Sequence, residues 1–209
     1  MTVHSFADPD AKIVLIQAIE ERSLPSVEEE VRILQEAAGN DFCLKAVTVD
    51  DWSRDLSPWE APAAFGPIPF GGGADQTLQI ILSLCKDPGK DYYLGGYSLS
   101  GLFALWAAFM TDTFSGIAAA SPSLWFPDFC AFTRDHDILC DTVYLSLGDK
   151  ESNTKNKMMA TVGSCVISTC ELLRSRGVNC IYEENHGNHF TDVEKRCARA
   201  FSRVLEVTR

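Results

Sequence analysis

The chain has 209 residues, 46% of them hydrophobic and 22% charged. That is enough apolar material for one globular domain over residues 1–209, and too much for a disordered chain. Its 29 acidic residues outnumber 18 basic ones, for a formal charge of −11. With no cluster of Lys and Arg, this argues against nucleic acid or an anionic membrane as partner, because phosphate contacts need gathered cations.

Met1 to Asp10 is polar and acidic and carries His4, for which no role is expected. It lacks the basic-then-apolar order of a signal peptide, and no apolar run reaches membrane-spanning length. The eight cysteines are scattered without a CxxC pair. Together these features predict free thiols in a reducing cytoplasm, most of them acting as small core hydrophobes.

The apolar, β-branched run Lys12 to Ala18 predicts a buried strand. Ser26 is placed as the cap of a helix from Val27 to Ala38, with Glu28, Glu29 and Glu30 in its first turn and Gly39-Asn40 ending it. Phe42 to Val49 reads as a second strand. From Asp50 to Gly73 the prolines at 58, 62, 67 and 69 and the run Gly71-Gly72-Gly73 predict a long irregular loop. Trp52, Trp59, Phe65 and Phe70 are interleaved in it, which predicts a cover over a site rather than a linker. Asp75 begins a helix to Leu84.

A strand from Tyr92 to Gly95 then runs into Gly96-Tyr97-Ser98, and an apolar helix from Leu99 to Met110 follows at once. That layout is a nucleophile elbow, a turn so sharp that the serine side chain stands exposed above a parallel sheet. Further strands are predicted over Gly116–Ala120, Thr142–Leu147 and Cys180–Glu183. Helices are predicted over Lys155–Arg176, closed by Gly177, and over Asp192–Val207. Strands alternating with helices, joined by right-handed crossovers, give a mostly parallel sheet covered on both faces. Sites in such sheets lie just past the C-terminal ends of strands.

Ser98, Glu151 and His189 each hold that kind of position, and they follow one another in the order nucleophile, acid, base found in α/β-hydrolases. A serine hydroxyl needs a base beside it, and the base needs a carboxylate to hold its tautomer. His189 is preferred over His186, because Gly187-Asn188 makes a turn that can project it and Phe190 can anchor it. His136 lies in a charged loop. Glu151 is preferred over Asp149, which can instead hold the loop backbone. His186 and His189 also spell HxxH, but no partner ligands with metal-site spacing accompany them, so neither a metal nor a cofactor is expected. The Leu99 N–H is one candidate oxyanion donor, and a second is placed near Ala18 or Ile19, after the first predicted strand.

The segment Gly96-Tyr97-Ser98-Leu99-Ser100-Gly101-Leu102-Phe103-Ala104-Leu105 resembles the G-x-S-x-G-G-L-F-A-L elbow of the esterase family that includes the enterochelin esterases. Ala119 to Trp125, the acid loop Gly148 to Glu151 and the histidine loop Gly187 to Phe190 resemble that family's corresponding segments, so the likeness covers about Tyr92 to Phe201. Ser100 departs from it, standing where the family has glycine. The chain also starts at what would be the third strand of the full sheet. The resemblance implies a three-layer α/β-hydrolase fold, trimmed at the N-terminus and without a cap domain. It implies a serine hydrolase acting on a small-molecule carboxylic ester through an acyl-enzyme. The siderophore substrate is not carried over, because no basic residues near the motifs suit an anionic iron chelate. Tyr97, Trp125, Phe126 and Trp59 are the expected pocket residues. Two other functions stay open: a catalytically idle binding protein, with Ser100 distorting the elbow, and a thioesterase or amidase using the same triad.

Overall fold

The computed structural model describes residues 1–64 and 66–208, so Phe65 of the predicted cover loop lies outside the described residues. Seven strands form one sheet: β1 (Thr2–Ala7), β2 (Ile13–Ile19), β3 (Cys43–Thr48), β6 (Asp91–Tyr97), β7 (Gly116–Ala120), β8 (Thr142–Gly148) and β9 (Asn179–Asn185). Their spatial order is β1-β3-β2-β6-β7-β8-β9. A two-stranded ladder, β4 (Glu60–Ala61) with β5 (Phe70–Gly71), stands apart from it. Every pairing in the large sheet is parallel except β1 with β3.

Strand β1 corrects the reading of Met1 to Asp10 as a bare polar terminus. Thr2, His4 and Phe6 alternate with Val3, Ser5 and Ala7, and the strand pairs Thr2 with Thr48 through to Ala7 with Cys43. An edge strand with one solvated face needs no apolar run, so its alternation is easily taken for a polar tail. The sheet therefore has a strand ahead of the first one expected.

Helices cover both faces. Helix α1 (Leu24–Ala38) and α7 (Val193–Thr208) pack on one face with Ile13, Leu15 and Ile19 of β2. Helices α3 (Ala74–Leu82), α4 (Leu99–Met110), α5 (Phe129–Asp135) and α6 (Val162–Ser175) pack on the other, against Val14, Ile16 and Ala18. The period-2 alternation of a strand delivers β2 to two cores at once.

Several boundaries differ from expectation. Helix α1 starts at Leu24 with Pro25 in its first turn, so Ser26 is not its cap and the first turn holds no acid. Proline is pre-set for that place, since its missing N–H would be unpaired anyway. The helix predicted from Lys155 begins only at Val162, after a 3-10 turn over Met159–Thr161. Asn156 holds the preceding loop: its carbonyl accepts the N–H groups of Met158 and Met159, and its amide donates to the Ala64 carbonyl at 2.6 Å. Helix α5 was not anticipated, because its seven residues show only one apolar pair at helical spacing, Phe129 and Phe132.

The 50–73 segment contains one helical turn, α2 (Trp52–Asp55), besides the β4–β5 ladder. The turn exists because Asp51 caps the Arg54 N–H and the buried Asp55 carboxylate accepts the N–H groups of Asp50 and Asp51. All eight cysteines are free thiols, five of them buried. Among the described residues, no helix is long and apolar enough to cross a membrane.

Candidate active site

Ser98 sits between the end of β6 and the start of α4 with φ 59° and ψ −120°. A non-glycine residue rarely occupies such a conformation, which costs on the order of 1–3 kcal/mol and persists only when its surroundings enforce it. They do so here. The Ser98 N–H is taken by the Ala120 carbonyl of the neighbouring strand, and its own carbonyl accepts from both Leu102 and Ser123.

Gly96 is required for the same turn. A Cβ at that position would lie 2.1 Å from Ser100 Oγ and 2.8 Å from the Ser100 backbone carbon. Ser100, the departure from the family pattern, is fully buried, and its hydroxyl donates to the Ala18 carbonyl at 2.7 Å. It ties the elbow to β2, and the turn forms with the serine in place.

His189 Nε2 lies 3.0 Å from Ser98 Oγ, and His189 Nδ1 lies 2.7 Å from Glu151 Oε2. The chain arrives at this ring through Gly187, whose φ of 106° favours glycine and whose Cβ would meet the Thr191 side chain at 2.6 Å. The Tyr97 hydroxyl donates to the His189 carbonyl at 2.8 Å, which fixes the loop from below. Phe190 does not anchor the loop as expected. It is 85% exposed and touches His189 only edge-on.

The second oxygen of Glu151 is saturated. It accepts the Ser121 hydroxyl at 2.7 Å, the Gly148 N–H at 2.8 Å and Arg196 Nη1 at 2.8 Å. Burial pushes the Glu151 carboxyl up, but hydrogen bonds from His189, Ser121 and Gly148 outweigh it and hold the group below its ordinary range. Asp149, its competitor, accepts the Gly187 N–H at 2.8 Å and faces His186 Nδ1 at 3.1 Å. Asp149 therefore shapes the loop, and His186 is a mostly exposed side chain.

Arg196 was not singled out in the sequence. Only 3% exposed, it also reaches the Tyr97 and Ser121 hydroxyls and the His186 carbonyl, so it binds together the segments carrying His189 and Glu151. A signal for it exists. Arg196 stands four and eight residues before Ala200 and Val204, on the buried stripe of α7, where a cation has no business unless it is paired.

A cavity of about 690 Å³ opens beside Ser98. Tyr97, Trp125, Leu99 and Ala18 line it, together with Trp52 and Phe70 of the predicted cover loop. Trp59 does not line it. Its ring packs among Phe126, Phe129 and Phe132, and its indole N–H donates to the Pro127 carbonyl at 3.1 Å. The cover loop is thus split, with Trp52 and Phe70 on the cavity wall and Trp59 in the aromatic packing behind it. Leu99 heads helix α4 directly after Ser98, so its N–H has no intrahelical acceptor. Ala18 belongs to β2, and its carbonyl is occupied by Ser100.

Neither protein-family models nor curated proteins match the sequence. Solved structures do match the fold. A siderophore hydrolase, EstA from Aspergillus nidulans, superposes with a TM-score of 0.72 at 18% identity, over 97% of this chain and 86% of that one. The enterobactin esterase FES from Shigella flexneri, crystallised with enterobactin, gives 0.66 at 14% identity, over 98% of this chain but 55% of its own. Esterase PE8 gives 0.61 at 16% identity, over 100% of this chain and 98% of the other. The chain thus has the α/β-hydrolase fold, and it spans about half the length of the Shigella protein.

Proposed function

We propose that the chain is a serine hydrolase that cleaves a small-molecule carboxylic ester through an acyl-enzyme. The observation that carries this reading is the unbroken hydrogen-bond path from Ser98 Oγ through both nitrogens of His189 to Glu151, built on a strained Ser98 backbone. Ser98 attacks the carbonyl while His189 Nε2 takes its proton. Glu151 keeps the Nδ1 proton in place and stabilises the imidazolium. The oxyanion forms at the N-terminus of α4, where the Leu99 N–H is one donor and the backbone at the end of β2, at Ala18 or Ile19, supplies the second. His189 returns its proton to the leaving alcohol, and water then reverses the sequence on the acyl-enzyme.

The cavity volume lies within the range of small-molecule sites, and its aromatic wall of Trp52, Phe70 and Trp125 suits an apolar part of the ester. The structures of similar fold, a siderophore hydrolase and two esterases, support ester chemistry in general. Labelling with a fluorophosphonate, followed by peptide mass mapping, tests the reading directly. Ser98 is expected to be the labelled residue, and Ser98→Ala is expected to lose both label and turnover with an unchanged circular dichroism spectrum. Label on another serine, or turnover surviving in that variant, would overturn it.

A further inference from the structure

The cavity beside Ser98 straddles the top of the sheet and meets both helix layers. On the α4 side its wall is aromatic. On the α1/α7 side it is lined by Gln17, Val27, Glu30, Glu194 and Cys197. Glu30 stands out there. Because α1 begins at Leu24, Glu30 lies in the interior of the helix with Val27, Val31 and Leu34 on the buried stripe. It is 4% exposed. Gln17 Nε2 donates to its Oε2 at 2.9 Å, while Oε1 has no hydrogen-bond partner. A carboxyl oxygen removed from water without a donor carries an uncompensated desolvation penalty.

Among the described residues no Lys or Arg pairs with it, although Lys150 also lines the cavity. Arg22, on the rim, pairs with Glu20, Lys195 with Asp192, and Arg196 with Glu151. The other titratable groups facing Glu30 are Glu194 and the Cys197 thiol, both from α7. Beside Val27 and Cys197 the arm therefore gathers two carboxyl groups, Glu30 and Glu194, and Glu30 Oε1 is short of a donor.

We propose that this arm is a subsite for a protonated amine carried by the ester substrate, with Glu30 as its counter-ion and Gln17 holding the carboxyl in line. The word substrate rests on the hydrolase reading above, whereas the subsite itself does not. Burial pushes the Glu30 carboxyl up to about 8, against the opposing hydrogen bond from Gln17. An ammonium at Oε1 supplies the missing donor and favours the carboxylate, and a neutral isostere does only the first.

Binding is measured by calorimetry at pH 9, where Glu30 is ionised and an alkylamine is still protonated, on the Ser98→Ala protein, with n-pentylamine against n-pentanol as probes. The amine is expected to bind roughly tenfold more tightly, the scale of a charge-assisted hydrogen bond. Glu30→Gln, nearly isosteric, is expected to bring that ratio to about one, and Glu36→Gln, on the exposed face of α1, to leave it unchanged. Glu30→Met serves in its place if the glutamine variant melts early. Equal binding of the two probes to the parent, or a ratio that survives in a folded Glu30 variant, overturns the subsite. With Ser98 restored, 5-aminopentyl butyrate is expected to exceed pentyl butyrate in kcat/KM by a similar factor. Hydrolysis of both esters without any amine preference refutes the subsite and spares the hydrolase. Amine preference in binding with neither ester hydrolysed refutes the hydrolase and spares the subsite.

Discussion

Glu151→Gln is the sharpest perturbation of the proposed triad, because the structure dictates how the new amide must sit. One carboxylate oxygen faces three donors, Ser121 Oγ, the Gly148 N–H and Arg196 Nη1, and the other faces only His189 Nδ1. Three donors hold the amide oxygen on their side, so the NH₂ group turns to His189. The imidazole then has to accept at Nδ1 and carry its proton on Nε2, the nitrogen that faces Ser98. In that tautomer it cannot serve as base. The equivalent change in a serine protease triad lowers kcat about 10⁴-fold by the same tautomer error, which corresponds to about 5.4 kcal/mol of barrier. A comparable loss is expected here with 4-nitrophenyl butyrate at pH 7. Stability also suffers, since the buried Arg196 loses its counter-charge. Breaking a buried pair on one side costs roughly 3–5 kcal/mol. The retained hydrogen bonds favour the lower figure, for a fall in Tm of about 6–12 °C in a chain of this size. The pH dependence has a definite sign. Glu151 lies below its ordinary value of 4.5 in the folded protein, so its contribution to stability is present above that value and is lost as pH falls through the folded-state pKa. The Tm gap between parent and variant is therefore expected to narrow below pH 4.5. Turnover within tenfold of the parent, or an Asp149→Asn variant that is the dead one, would refute the reasoning.

Other outcomes follow from the same geometry. His189→Ala is expected to lose several orders of magnitude in kcat, because nucleophile and base act as a unit; His186→Ala, at an exposed side chain, is expected to stay within tenfold, and the reverse result would reassign the base. Gly96→Ala is expected to abolish fluorophosphonate labelling, and adding Ser100→Gly is expected to restore it only in part, since the new Cβ still meets the residue 100 backbone at 2.8 Å. Trp59→Ala is expected to cost about 3 kcal/mol in a urea melt without changing acyl-chain preference, whereas Phe70→Ala is expected to shift that preference because Phe70 lines the cavity. EDTA is expected to leave turnover unchanged, since both His189 nitrogens and His186 Nδ1 already have partners; loss on chelation with recovery on adding zinc would count against the triad.

The parts of this protein readable from its sequence are those set by local chemistry. Gly-x-Ser between an apolar strand and an apolar helix describes the elbow, because only small residues allow the two backbones to approach so closely. Alternating strands and helices describe a parallel sheet, because a parallel pair needs a crossover between its strands. Strand β1 escaped because an edge strand buries one face only. The start of α6 was misplaced because Asn156 takes up the backbone donors that a helix would have used. What only tertiary structure decided are pairings between residues far apart in the chain. Local spacing favoured Glu151 over Asp149, but the geometry around each rests on donors from Ser121 just past β7, the end of β8, the histidine loop and α7. Trp59 and Phe70 look alike in the sequence, yet one packs behind the wall and the other forms it. Arg196 and Glu30 are charged residues on the apolar stripes of their helices, and spacing alone does not say which groups they meet there. Burying a charge is permitted only by partners, and those partners come from elements tens of residues away, which no local pattern encodes.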